Sequence, residues 1–224
     1  MCKHSVRFYD HTYPAREAGD FIAEGLLAED TCVVMLSQPH RAAVEQRLNE
    51  LGVRSSPDGA RPARYTVMDT SEVLSHFMVG GRLDLEQSAE KLEQLMSRAG
   101  GGGTVRLVGD LAPVLFGAGR EDDAIALEDL VDALALQHGA SVFCAYPLQG
   151  FFRSRGTNSL FRMSARHASV AFPTGLWIDG FLNTTGPGKS AFQQAREASH
   201  SSAGCTVKHV LKARKHAQPV WKTP

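Results

Sequence analysis

No run of 18 consecutive apolar residues occurs in this 224-residue sequence, so no segment reads as a membrane-spanning helix. No apolar stretch follows Met1-Cys2-Lys3-His4, and the pattern of an export signal is therefore missing. Excess charge is missing as well: 24 Lys and Arg residues balance 24 Asp and Glu residues. Without a net field, general attraction to nucleic acid or anionic lipid is not expected. The local exception is Lys208, Lys212, Arg214, Lys215 and Lys222, which read as a solvated basic tail rather than a DNA contact. The four cysteines, Cys2, Cys32, Cys144 and Cys205, form no CxxC pair and are expected to be reduced thiols. These absences point to a soluble cytoplasmic protein and leave its oligomeric state open.

Signatures of catalysis are equally scarce. A GxSxG elbow is absent, and Cys144 lies inside an apolar run where burial raises a thiol pKa and blunts its reactivity. A phosphate-cradling loop needs GxxxxGK[ST]; ahead of Gly188-Lys189-Ser190 its first glycine falls on Asn183. Ser37-Gln38-Pro39-His40-Arg41, after the strand-like run Thr31–Leu36, also lacks glycine, although a helix N-terminus there could attract an anion. His4, His11, His40, His76, His138, His167 and Cys144 show no tight ligand spacing such as HExxH. No metal or cofactor is expected on that ground, and a site would have to be assembled across the fold, for instance from His4, Cys144 and His167. Glu121-Asp122-Asp123 precedes a helical pattern, where acidic residues complement the macrodipole.

What the sequence does contain is alternation of short apolar runs with helical patterns. Thr31–Leu36, Arg64–Met68, Thr104–Gly109 and Ser141–Tyr146 are rich in β-branched and aromatic residues, as expected of strands covered on both faces. His4–Tyr9 reads as a fifth strand, at an edge. Helical stripes fall at Phe21, Ile22, Gly25 and Leu26, at Val44, Leu48 and Leu51, and at Leu127, Leu130, Val131 and Leu134. Gly52 and Gly139 are positioned to end helices, and Ser71 to cap one carrying Val73, Leu74, Phe77 and Met78. A further stripe, Leu85, Leu92, Leu95 and Met96, stops at Gly100–Gly103. The fold class is thus α/β, a mainly parallel sheet with helices on both faces. Ligands gather at the carboxyl ends of such strands, which places Ser37–His40, Asp69, Asp110 and Tyr146-Pro147 along one rim. One α/β domain is expected over 1–173, with a flexible basic tail over 174–224.

The segments HSVRFYD, FIAEGLLAEDTCVVMLSQPHRAAVEQRL, MDTSEVLSHFMVGGRLD, VRLVGDLAPVLFGAG, ALEDLVDAL, VFCAYP and RHASVAFP, in that order, resemble the MEDS domain, the methanogen/methylotroph sensory domain of the dichloromethane-repressor type. The resemblance covers about residues 3–173. It implies a RecA/KaiC-like fold without a working phosphate loop and a role in sensing small, hydrocarbon-derived compounds for signalling or transcriptional control. It aligns the family's histidines with His4 and His167, its aromatic pair with Phe8-Tyr9 and its strand arginine with Arg106. The Tyr-Pro motif falls on Tyr146-Pro147. Asp110 stands where glutamate is usual, and Val6 where a second histidine or cysteine is often found.

These readings converge on a non-enzymatic sensor that binds a small organic ligand through His4, Tyr9, Arg106, Asp110, Tyr146 and His167 and acts through a signalling protein partner. Arg106 and Asp110 would orient a polar group, or else form an internal ion pair. Two alternatives follow from other features. One is a residual nucleotide-binding, ATPase-like domain resting on Lys189 and Arg41. The other is a protein-interaction module regulating a kinase or sigma-factor pathway, resting on Phe151-Phe152 and Trp177 as an exposed patch, although Phe151-Phe152 reads better as core.

Overall fold

The structure is a computed structural model that describes residues 3–53, 64–99, 104–153 and 158–173. Its elements are β1 (Lys3–Tyr9), α1 (Ala15–Leu27), β2 (Thr31–Leu36), α2 (Gln38–Glu50), β3 (Tyr65–Asp69), α3 (Thr70–Phe77), β4 (Met78–Val79), β5 (Arg82–Leu83), α4 (Leu85–Ala99) and β6 (Val105–Gly109). After them come α5 (Leu111–Gly117), α6 (Glu121–His138), β7 (Ser141–Pro147), α7 (Leu148–Arg153), α8 (Asn158–Ser164) and β8 (Ser169–Ala171). Six strands form one sheet in the order β3-β2-β6-β7-β1-β8, with every neighbouring pair parallel. β4 and β5 make a separate hairpin whose turn, Gly80-Gly81, has φ of +57° and +79°, as tight two-residue turns require.

Both faces of the sheet are covered, as the unbroken apolar runs predict. Strand residues of one parity, among them Val6, Phe8, Val33, Met35, Leu107, Val142 and Tyr146, join α3, α4, α5 and α6 in the larger core. The other parity, with Cys32, Val34, Leu36, Val108 and Phe143, packs on α1 and α2. Gly52 and Gly139 follow α2 and α6 with φ of +68° and +64°, the left-handed stops expected.

Three details differ from the sequence expectation. β1 is not an edge strand, because the three-residue β8 pairs with Ser5–Arg7 on its outer side. A strand so short carries too little alternation to be recognised. The cap of α3 is Asp69 rather than Ser71: its carboxylate accepts the Ser71 backbone N–H at 2.9 Å. Asp69 ends β3 at the carboxyl rim, and its carboxylate is taken up in capping α3. The third concerns only the exposed-patch alternative: Phe151 stands in the core against Phe8, Phe116 and Tyr146, as the favoured reading of that residue has it. The tail over 174–224, with Trp177, Lys189 and the basic cluster, lies outside the described residues.

The phase of α6 gives a direct test. Leu134 is fully buried, whereas Leu136 is 71 % exposed. Leu134→Ala is expected to cost about 2–5 kcal/mol in urea unfolding, and Leu136→Ala less than about 0.5 kcal/mol.

Candidate functional site

Strand parity divides the six residues singled out from the sequence. His4 on β1 and Tyr146 on β7 point to the α5–α6 face, and His167, after α8, joins them there. Tyr9 and Arg106 have the opposite parity. Arg106 passes under α1, where its Nε donates to Asp30 at 2.8 Å, its Nη1 donates to the Phe21 carbonyl at 3.0 Å, and its guanidinium lies 5.0 Å from the Phe21 ring centre. Gly25 permits this route, since a Cβ there would stand 2.5 Å from Arg106 Cδ. The anticipated Arg106–Asp110 pairing is therefore not formed; Arg106 ties β6 to α1 and to the start of β2.

The inner centre is built around Glu128, which lies in the segment ALEDLVDAL but is not among the six residues singled out as ligand-binding. Helix α6 brings it onto the buried stripe beside Leu127 and Val131, 1 % exposed. Tyr146 donates its hydroxyl to Glu128 Oε1 at 2.5 Å. Oε2 faces His4 Nε2 at 3.3 Å, Cys144 Sγ at 3.7 Å and His167 Nε2 at 3.7 Å. Burial would raise the Glu128 pKa, but the His4 hydrogen bond and charge and the Tyr146 hydroxyl outweigh it and bring it down to about 2. Burial also opposes a charge on His4, yet Cys144, Asp132 and Glu128 around it hold its pKa well above the usual value. His167 goes the other way: burial first, then the neighbouring His4, push it down to about 4. Burial pushes the Cys144 thiol up to about 11, so it is a poor nucleophile in this setting.

Each ring is held by its other nitrogen. His4 Nδ1 donates to Asp132 at 3.2 Å, and His167 Nδ1 donates to the Met163 carbonyl at 2.9 Å. A carbonyl only accepts, so the neutral His167 carries its proton on Nδ1 and a free lone pair on Nε2. That Nε2 is buried and has no hydrogen-bond partner. An apolar cavity of about 20 Å³ adjoins Glu128 and Cys144, walled by Met35, Leu107, Leu111 and Pro113.

A second polar group stands at the carboxyl rim. Asp110 follows β6 and accepts from the Ser37 backbone N–H at 3.0 Å, the Ser37 hydroxyl at 2.7 Å and His40 Nδ1 at 2.8 Å, with the Thr70 hydroxyl also in contact. Tyr13 stacks on His40 at 4.0 Å, and Tyr9 meets Tyr13 edge-on at 5.9 Å. The Tyr13 hydroxyl is buried without a partner, and burial and then the Asp110 charge keep it a protonated phenol. Glu128 could have been found as a carboxylate at helical spacing within an apolar stripe. Tyr13 carries no comparable signal, because it lies in the loop between β1 and α1. A separate hollow of about 180 Å³ between α3 and α4 is lined by Met68, Val73, Phe77 and Leu95, with His76, Lys91 and Gln94 around it.

The family model described as MEDS, MEthanogen/methylotroph, DcmR Sensory domain, matches residues 4–159. The chain belongs to the MEDS family. No curated protein matches it. The MEDS span opens on His4 and takes in both polar groups except His167, which lies beyond its end. The family description supports a sensory role for the domain. No helix among the described residues is long and apolar enough to cross a membrane.

The rim also makes a pH prediction. Burial works to raise the Asp110 pKa, but its bonds from His40, Thr70 and Ser37 lower it below the ordinary carboxylate value. A depressed folded pKa adds stability above the unfolded value near ~4, and that stability is lost as pH falls through the folded pKa. Asp110→Asn is expected to cost roughly 1–3 kcal/mol at pH 7, with the difference from wild type narrowing below pH of about 4 in urea unfolding.

Proposed function

We propose that this MEDS domain is a non-enzymatic, cytoplasmic sensor that binds a small organic molecule at the carboxyl rim of its sheet. Occupancy is passed to a signalling protein partner, with transcriptional control as one output. The observation that carries the reading is the buried, unpartnered hydroxyl of Tyr13 beside Asp110 and against His40. A buried polar group without a partner costs about 1–3 kcal/mol, and a ligand that accepts its hydrogen bond recovers that cost. The location supports the same reading. Neighbouring strands β2 and β6 send their chains to opposite faces, into α2 and α5, and such divergence opens the crevice where α/β sheets take ligands. Tyr9 and Tyr13 supply apolar ring surface, Asp110 and His40 supply polarity, and His40, 27 % exposed, borders solvent.

The nucleotide alternative has less support at this rim. Loops 10–14 and Ser37, which leave β1 and β2, contain no glycine to let backbone N–H groups wrap a phosphate.

The test is a thermal-shift screen against small organic compounds and against ATP with Mg²⁺, followed by calorimetric titration of any compound that binds. A ligand at about 100 times its dissociation constant adds roughly 2.7 kcal/mol. Tyr13→Phe removes an unpaired hydroxyl, so the empty variant is expected to melt at or above the wild-type temperature while losing about tenfold in ligand affinity. Unchanged affinity in Tyr13→Phe, or a shift with ATP and Mg²⁺ alone, rejects the reading.

A further inference from the structure

We infer that the inner centre is a binding site for a divalent transition-metal ion of the zinc class, held by His4 Nε2, Glu128 Oε2, Cys144 Sγ and His167 Nε2. The inference uses none of the rim residues, so it stands or falls separately from the ligand reading above.

The four donor atoms lie within 4.8 Å of one another. Four of their separations are 3.4 Å (His4–Cys144), 3.3 Å (His4–Glu128), 3.7 Å (Cys144–Glu128) and 3.7 Å (His167–Glu128). A tetrahedral ion with bonds of about 2.0–2.3 Å to N, O and S needs donor separations of roughly 3.3–3.7 Å. The chain therefore already places four of the six donor pairs at nearly the edge lengths of a coordination tetrahedron, and the other two, both to His167, within 4.8 Å. The donor set, two imidazoles, a carboxylate and a thiolate, suits a borderline ion such as Zn²⁺ and not the oxygen-seeking Ca²⁺ or Mg²⁺.

The surrounding groups fix the donors as a metal site requires. His4 leans on the Asp132 carboxylate and His167 on the Met163 carbonyl, each through Nδ1, which turns both Nε2 atoms inward. Such outer partners orient metal-binding histidines and raise their basicity. Tyr146 takes Oε1 of Glu128 and leaves Oε2 for the ion. The unpartnered Nε2 of His167 is the independent sign, a buried lone pair aimed at the same point. Binding takes the proton from the Cys144 thiol, and any on His4 Nε2, to solvent. The thiolate and carboxylate then cancel the dication, so the buried centre is neutral and escapes the cost of an unpaired interior charge. With four protein donors and none more than 6 % exposed, the site is closed in the manner of structural zinc. It joins β1, α6, β7 and the turn after α8, staples that are far apart in sequence.

The experiment uses the full-length, untagged chain, stripped with chelator and titrated with zinc chloride or cobalt chloride alone. The expected result is one ion per chain, a raised melting temperature, and a tetrahedral cobalt spectrum with a thiolate-to-cobalt charge-transfer band. Cys144→Ser is expected to remove that band. His167→Ala is expected to lower zinc affinity by roughly 100-fold or more, beyond the range usual for outer-shell changes. Cys32→Ser, on the opposite face of the sheet, and Tyr13→Phe keep both properties. Should the centre variants fail to fold, zinc-edge X-ray absorption of the wild-type protein decides: one sulfur at about 2.3 Å with nitrogen and oxygen neighbours is expected. No stoichiometric uptake by the wild-type chain, a shell without sulfur, or wild-type affinity in both Cys144→Ser and His167→Ala overturns the inference.

Discussion

A parallel sheet covered on both faces hides most side chains of its central strands from water, so the polar groups buried against it have to be satisfied inside the protein. That constraint shapes most of this molecule. Buried carboxylates, imidazoles and thiols are costly unless paired, and here they occur in groups rather than singly. Glu128 is the clearest case, since its charge at 1 % exposure is sustained by His4 and Tyr146 together. Asp110, equally buried, is sustained by four donors from β2's end, α2 and α3. Networks of this kind add less stability than apolar packing of the same volume, but they fix one arrangement of the elements that meet there.

The two groups divide the labour of the fold. Asp110 binds the ends of β6 and β2 and the starts of α2 and α3, and so pins the loops at the rim. Glu128 binds strand β7 and strand β1 to helix α6, and so pins the layer beneath. Arg106 does the equivalent for the opposite face, joining β6 to α1 through Asp30 and the Phe21 carbonyl. The bonds to Asp110 and Glu128 hold both carboxyl groups below their ordinary pKa. Cys144, with its thiol pKa raised by burial, is poorly placed as a nucleophile. The polar interior ties the two helical layers to the sheet at three separate points.

Much of this was legible in the sequence, for a definite reason. A strand buried on both faces must be almost wholly apolar, and Thr31–Leu36 and Ser141–Tyr146 announce themselves on that basis alone. The left-handed stops at Gly52 and Gly139 are equally local. What the sequence hides is which of two faces a strand residue takes relative to other strands. Tyr9 and Tyr146 look alike as strand-end tyrosines. Only the register, Phe8 beside Tyr146, shows that Tyr9 lies on the other side. Arg106 and Asp110 stand close in sequence, but parity turns Arg106 toward α1 and Asp30. β8 escaped notice because three residues are too few to show a period.

The rim and the inner centre meet on one pair of helices. Asp110 immediately precedes α5, and Glu128 sits on α6, which packs closely along α5. A ligand that alters the bonds of Asp110 therefore acts on the same helical unit that carries the Glu128 carboxylate. A sensor needs that kind of connection, since a ligand shifts a protein only by binding one arrangement better than another. Each network leaves one buried polar atom without a hydrogen-bond partner, the Tyr13 hydroxyl at the rim and His167 Nε2 within, so each has a further bond to gain.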